Sequence, residues 1–462
     1  MLACTQNGLP AVQPWSLSLK RWLLLGLLAL AVLLLISPGI VGHLAERAIE
    51  QQIDFAEARD PQLAVDTARF ERGWFTSAGQ YRVPISDPEL AELALAMSGS
   101  APEAGVTPVL LIDTRLDHGL LPFGAIGRDA SSLLPAIASG LSTLRLELAP
   151  ERVVDLPGKL VSRLGINGSA RFHYQLPAGR RAANGISASW AAADIQVTSN
   201  ADGSALRANA QLDDWSIDLS SEALSFASLT SATDIVMSDR GIAVGSFELA
   251  LTDTRIRRAS DSETRWAVLT AKAESALAGE LFNGDLHLDI AGLNGTRGQQ
   301  NVKLHATVSD LQARFLRPVL RRMSGVAGNS STLDDVAYSQ ADEELRLLLS
   351  AGGKLTIDEL RVQTDDGELA ALVALEVPAS DRLRSWPGLL LALEGKADVE
   401  LPVSVVDAMP DLALQLQPLI ATGFLRREGD VYVLRAAYAK GLATINGAPM
   451  PVPMPGTQND WR

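Results

Sequence analysis

The sequence contains little cysteine, few aromatic residues and no excess of basic charge. Cys4 is the single cysteine among 462 residues, which excludes a disulfide framework and a cysteine-based zinc site. Lysine and arginine number 40 against 54 aspartate and glutamate residues, for a formal net charge of −14. Because a nucleic-acid-binding surface needs a basic field, we expect no nucleic acid among the partners.

The common motifs of cofactor binding and catalysis are absent as well. The chain has neither a G-x-G-x-x-G nor a G-x-x-x-x-G-K-[ST] segment, and it lacks the G-x-S-x-G nucleophile elbow. Its acidic clusters, such as Asp213-Asp214 and Asp365-Asp366, do not match the calcium-loop pattern D-x-[DN]-x-[DN]-G. We therefore expect no cofactor, no metal and no enzyme activity.

Hydrophobic residues, in contrast, make up 47% of the chain, and part of them form one segment. Residues 22–41 are uncharged and long enough to cross the roughly 30 Å of a bilayer core. We interpret them as an uncleaved transmembrane anchor, because no small-x-small cleavage site follows; a cleaved signal peptide is the alternative. Lys20 and Arg21 directly precede the segment, so we expect residues 1–21 in the cytoplasm and the rest of the chain outside it.

Alternating hydrophobic residues dominate the chain from about residue 142 to 306. Runs such as Leu206, Ala208, Ala210 and Leu212 have the period of a half-buried strand. Short turn pairs separate these runs: Asn167-Gly168, Asn184-Gly185, Asp202-Gly203, Asn283-Gly284 and Asn294-Gly295. The pattern predicts a strand-dominated α+β fold, with an N-terminal transmembrane helix followed by a large antiparallel β-meander with helical insertions.

Several segments outside these runs have helical periodicity. We expect helices at 88–99, 129–140 and 403–421, and a helical insertion at about 309–350 in which Ser309-Asp310 caps the first helix. The predicted organisation is therefore a cytoplasmic segment (1–21), an anchor (22–41), a β-rich domain of one or two subdomains (42–447) and a proline-rich tail (448–462).

The apolar face of the predicted meander has two interpretations. It is either the closed core of a sandwich or sheet-plus-helix fold, or an open groove that carries acyl chains. Every half-buried sheet produces the same alternation, so the closed core is the default interpretation. The two differ in whether helices cover the face.

The histidines allow two further alternatives. His287 and His305 occupy the polar phase of strands, so we expect them in solvent, although the two could pair across strands as a metal site. His118 follows Asp117 at the end of a predicted strand, where we expect a structural role. A hydrolase that uses His118 with a nearby serine or aspartate is the alternative, and it requires that serine in an open cleft.

Three motifs, in their order and spacing, resemble a known family. They are FERGWFTS at 70–77, DHGLLP at 117–122 and YAKGLATINGAPM at 438–450. The arrangement resembles the YdgA-like family of Gram-negative bacterial envelope proteins, a domain of unknown function. Members of that family typically have proline directly after the His-Gly pair, whereas this chain has Leu120 at that position. The motif residues, for which we expect structural roles, are Arg72, Gly73, Trp74, Phe75, Asp117, His118, Gly119, Tyr438, Gly441, Asn446 and Gly447.

The resemblance implies an inner-membrane anchor and a periplasmic body, and it supplies no activity, cofactor or catalytic residue. The leading hypothesis is therefore a non-enzymatic, single-pass inner-membrane protein that serves as an envelope binding or scaffold module. The alternatives are lipid or lipophilic-ligand binding along an apolar β-groove and the hydrolase that uses His118. Besides the membrane, the expected partners are lipid, another envelope protein or a second copy of the chain paired through a sheet edge.

Overall fold

The computed structural model describes residues 65–450, apart from 74, 87, 101–106, 119–135, 150–151, 184–185, 220–221, 259–262, 296–297, 328–334 and 380–384. The predicted anchor at 22–41 lies outside the described residues, so the transmembrane helix stays a prediction. Among the helices that are described, none combines the length and hydrophobicity needed to span a membrane.

The described strands form one antiparallel sheet, which confirms the strand-dominated fold. Its N-terminal part contains mostly short strands. They are β1 (Asp66–Arg72), β2 (Thr76–Pro84), β3 (Val109–His118), β4 (Ala136–Ala149), β5 (Arg152–Asp155), β6 (Lys159–Gly165), β7 (Ala170–Leu176), β8 (Gly179–Ala183), β9 (Ile186–Trp190) and β10 (Ala193–Ser199). The order β1-β2-β3-β4-β6-β7-β10 leads into the centre of the sheet, with β5 paired to β4.

The centre of the sheet is a meander of long strands in which each strand pairs with the next. These strands are β11 (Ala205–Asp218), β12 (Glu222–Met237), β13 (Ala243–Arg258), β14 (Glu263–Ala278), β15 (Leu281–Gly295), β16 (Gly298–Gln312), β17 (Gly353–Thr364) and β18 (Gly367–Val377). β10 pairs with one side of β11, and the short hairpin β8–β9 continues on that same side.

The C-terminal part of the sheet continues from β18 through short strands. They are β19 (Glu394–Pro402), β20 (Arg426–Glu428), β21 (Val431–Ala439), β22 (Leu442–Ile445) and β23 (Ala448–Met450). β19 pairs with β21, and β21 pairs with β20 and β22. The predicted tail therefore begins with a strand, since Pro449 of β23 pairs with Thr444 of β22.

Six helices interrupt the described part of the meander. They are α1 (Pro88–Ser98), α2 (Ala313–Ala327), α3 (Asp335–Ser350), α4 (Trp386–Ala392), α5 (Val403–Ala408) and α6 (Pro410–Ala421). The helix predicted at 403–421 is divided at Met409, because proline disfavours a helical conformation in the residue before it. The helix predicted from Ser309-Asp310 begins later, at Ala313, because β16 remains paired with β15 up to Gln312.

Three other local predictions are wrong. Of the helix predicted at 129–140, residues 129–135 lie outside the described residues, and residues 136–140 lie in β4, because they pair with β3 on one side and β6 on the other. Asn283-Gly284 is not a turn but part of β15, where the register shifts between Phe282 and Gly284. The Asn283 side chain accepts a hydrogen bond from the Asp310 backbone N–H at 3.0 Å, and the chain instead turns at Gly279 (φ 68°). The turns at Gly168 and Gly203 are confirmed, and Asn184-Gly185 lies outside the described residues. Asn294-Gly295 forms the paired end of β15 rather than a turn.

A line of left-handed residues crosses the long strands. Leu212 and Trp215 of β11 contribute to the same hydrophobic cluster although they differ by an odd number of positions. Asp214, which lies between them, has a positive φ of 51°, and this breaks the alternation so that both side chains reach one face. Asp253 in β13 and Gly292 in β15 have similar conformations, with φ of 47° and 66°.

The buried clusters lie where helices cover the sheet. Ala96 of α1 packs against Trp190 and Trp215, whose ring centroids are 6.0 Å apart. The adjacent Leu95 packs against Leu146 and Leu148 of β4. Helices α2 and α3 bury the β12–β13 turn, and α5 packs on β19. The middle of the sheet lies between these clusters.

Candidate binding surface

An apolar strip crosses the middle of the sheet over β13–β18. The strip consists of three rows of side chains, and each row contains one residue from each of the six strands. The residues of a row are register partners on neighbouring strands, so their side chains point to the same face of the sheet. The strip comprises Phe247, Leu249, Leu251, Leu269, Ala271, Ala273, Leu286, Leu288, Ile290, Val302, Leu304, Ala306, Ile357, Leu360, Val362, Leu369, Ala371 and Val373. From ordinary strand spacing it measures about 24 Å by about 14 Å. Its side chains are aliphatic except for Phe247.

The strip is open among the residues that the structure describes. Ala371 is its single buried member, Phe247 and Leu286 are exposed (38% and 41%), and the remaining side chains are half-buried. Leu251 packs against the cluster beneath α1 and Leu369 against the cluster at α5, so these contacts lie on its margins. The largest apolar patch on a typical soluble protein covers about 300–600 Å² and is often an interaction site. Of the two interpretations of the alternation, the described residues therefore match the open face.

The opposite face of the same strands is polar. Glu248, Lys272, His287 and His305 are consecutive register partners across β13–β16, and Lys272 Nζ lies 3.3 Å from Glu248 Oε1. A depression of about 520 Å³ on this face is lined in part by Gln196, Glu248 and Lys272. The two faces thus differ in chemistry and offer separate surfaces.

The first two sequence motifs meet at the start of the sheet. Arg72 is the last residue of β1, and the Gly73 N–H donates a hydrogen bond to the Thr76 carbonyl at 2.8 Å. A Cβ atom on Gly73 would lie only 2.5 Å from that carbonyl oxygen, so the turn requires glycine. The Phe75 carbonyl accepts a hydrogen bond from the His118 N–H at 2.9 Å. Trp74 and Gly119 lie outside the described residues.

His118 has a serine within reach, as the hydrolase alternative requires. Ser77 Oγ lies 3.0 Å from His118 Nε2, which is a distance suitable for a nucleophile and its base. Both side chains are only 3% exposed, so a substrate cannot reach the pair in this conformation. Asp117 points to the opposite face of β3 from His118, because consecutive strand residues alternate. The serine is present, but among the described residues no open cleft of the kind that the alternative also requires leads to the pair.

The third motif is distant from the first two along the sheet. The Tyr438 hydroxyl donates to the Leu390 carbonyl at 2.6 Å and connects β21 to α4. Gly441 turns β21 into β22 with φ of 77°, and Asn446 and Gly447 turn β22 into β23 with φ of 50° and 79°. The motif residues therefore do not form one site.

Asn446 also connects several backbone segments through its amide. Its Oδ1 accepts from the Arg435 N–H at 2.9 Å, and its Nδ2 donates to the carbonyls of Phe424 (3.0 Å) and Val433 (3.3 Å). These contacts join β21 to the segment that follows α6.

The polar face carries two histidine–aspartate arrangements. In the first, His173 Nε2 forms a hydrogen bond with Asp194. Burial alone would raise the pKa of Asp194, but the hydrogen bonds from His173 and Gln196 and the charge of His173 have the larger combined effect. The pKa of Asp194 is therefore lowered. In the other arrangement, Asp285 contacts both His287 and His305. The alternation of strand residues indicates the two histidines as a pair. Asp285 was not predicted with them, although its D-x-H spacing places it on the same strand face as His287.

These features define a class: a protein built on one extended antiparallel sheet with an exposed apolar face and with no accessible catalytic group assembled among its described residues. The chain belongs to the family described as "Bacterial protein of unknown function (DUF945)", which matches residues 20–453. Comparisons with curated proteins and with solved structures find no match.

Proposed function

We propose that this protein is a non-enzymatic, YdgA-like envelope protein that binds the acyl chains of lipids on its apolar strip. In this proposal residues 22–41 anchor the chain in the inner membrane and the sheet lies in the periplasm. The observation that carries the proposal is the open strip itself, in which aliphatic side chains from six adjacent strands face outward.

The energetics favour a long apolar ligand. Each methylene group that is fully removed from water contributes about 0.8 kcal/mol, and less when the strip covers only one side of it, whereas association costs at least about 4 kcal/mol. A ligand therefore needs about five or more methylene groups in contact before binding becomes favourable. An extended acyl chain meets this requirement along a strip about 24 Å long.

The composition of the strip favours lipid over a protein partner. Protein interfaces rely on tryptophan, tyrosine and arginine anchors, and the strip contains none of these residue types. Its backbone groups are already paired within the sheet, so a partner strand cannot add to this face. The net charge of −14 disfavours attraction to anionic headgroups, which leaves the acyl chain as the recognised part.

A matched pair of variants tests the proposal. Leu286 on β15 belongs to the strip and is 41% exposed, whereas Leu372 on β18 is 52% exposed and points to the opposite face. We expect Leu286→Glu to weaken binding of a fluorescent fatty acid by about tenfold or more, because a carboxylate next to the chain must lose hydration. Leu372→Glu should bind like the unchanged protein.

The measurement is a fluorescence titration of the full chain in detergent, combined with native mass spectrometry of co-purified lipid. Both positions are exposed, so folding should be unaffected, and circular dichroism checks this. Equal affinity of the two variants, or a protein that neither co-purifies with lipid nor binds the fatty acid, would contradict the proposal. Dimers that dissociate in Leu286→Glu would instead indicate a second copy on the strip.

A further inference from the structure

Asp285, His287 and His305 bring three potential metal ligands together on the polar face. His287 of β15 and His305 of β16 are direct register partners, and their rings stack with centroids 4.0 Å apart at 12°. Asp285 Oδ1 lies 2.7 Å from His287 Nε2, and Oδ2 lies 2.8 Å from His305 Nε2. Both imidazoles therefore direct the same nitrogen toward one carboxylate.

The spacing of these atoms is close to that of a metal site. One ligand atom from each residue can be chosen so that all lie within 4.8 Å of one another. Zinc bonds to histidine nitrogen and carboxylate oxygen are about 2.0–2.1 Å long, so two ligands of a tetrahedral ion lie about 3.4 Å apart. Asp285, His287 and His305 have side chains that are 36%, 53% and 29% exposed. Because they are partly exposed, small side-chain rotations can bring the ligand atoms to the spacing that a metal ion needs.

We propose that Asp285, His287 and His305 bind one divalent transition-metal ion of the zinc type. Imidazole nitrogen and carboxylate oxygen suit zinc, cobalt and nickel, whereas magnesium and calcium prefer oxygen ligands alone. Three protein ligands on an exposed face leave the remaining coordination positions to water. The site lies on the opposite face from the apolar strip, so it does not depend on the proposed lipid binding.

The charges around the cluster are compatible with a cation. Glu274 is the register partner of Asp285 on β14. Glu359 is the partner of His305 on β17, but Arg361 Nε lies 3.0 Å from one of its carboxylate oxygens, which offsets its negative charge. Lys272 faces His287, but its ammonium group lies 3.3 Å from Glu248, which offsets its positive charge.

Cobalt titration tests the site, because the visible absorption of Co²⁺ changes when imidazole enters its coordination sphere. The full chain, purified without a histidine tag and stripped of metal, should bind one Co²⁺ per chain, and Zn²⁺ should displace it. We expect His305→Ala and His287→Ala each to weaken binding at least about 100-fold, because each removes one of three ligands. Zn²⁺ should raise the thermal unfolding midpoint of the unchanged protein but not of His305→Ala.

His173→Ala is the matched control, because it removes a histidine that bonds an aspartate elsewhere on the same face. This variant should bind Co²⁺ like the unchanged protein. The proposal is overturned if Co²⁺ binding does not saturate at one ion per chain, if His305→Ala binds as tightly as the unchanged protein, or if His173→Ala loses as much affinity. Circular dichroism verifies that each variant is folded.

Discussion

At the scale of single residues, the fold gives some side chains hydrogen-bond partners that the sequence around them does not predict. In the sequence Asn446 is only one residue of a motif, whereas in the fold its amide contacts the backbone of two segments, β21 and the segment that follows α6. Ser77 and His118 are far apart in sequence and meet because β2 pairs with β3. Such pairs depend on strand register, which residue types alone do not determine.

Asn446 offers a stability test at this scale. Glycine adopts its positive φ without strain, so Asn446→Gly removes the amide while it preserves the turn. Because several backbone groups then lose their partner, we expect the free energy of unfolding to fall by about 1–3 kcal/mol. Denaturant unfolding measures this, with Asn209→Ala at an exposed position of β11 as control. An unchanged midpoint would show that water replaces the amide contacts.

At the scale of elements, the alternation predicted the strands well but not their irregularities. The hydrophobic phase of β11 changes between Leu212 and Trp215, and this change corresponds to the left-handed conformation of Asp214. The Asn283-Gly284 pair shows the limit of turn chemistry, because the same dipeptide can serve a hairpin turn or an irregular position within a strand. Pairing with neighbouring strands decided between them in β15.

The conformation of Asp214 gives a second stability test. A β-branched side chain is strained at positive φ, so Asp214→Val should reduce the free energy of unfolding by about 1–2 kcal/mol or more. Asp214→Gly should be neutral or slightly stabilising, because glycine adopts this conformation freely. Thermal and denaturant unfolding of both variants checks the order. Equal stability of the valine and glycine variants would mean that the strand does not need the left-handed residue.

At the scale of the whole molecule, the principal result is the placement of the helices. Sequence periodicity predicted an apolar face, and it could not indicate whether that face is covered, since residues such as Leu249 and Leu288 alternate identically in a core and on an open sheet. The described helices pack at other parts of the sheet, around Ala96, Leu316 and Val405. An open apolar strip is costly in water, and the proposed lipid binding rests on this exposure.

Photo-cross-linking of the full chain in membranes tests this account most directly. A phospholipid with a diazirine at the end of its acyl chain would be activated by light, and the modified peptides identified by mass spectrometry. The account predicts adducts on strip residues of β13–β18, such as Leu288 and Leu304, and their loss in Leu286→Glu. Adducts confined to residues 22–41, or found equally on the polar face, would contradict it.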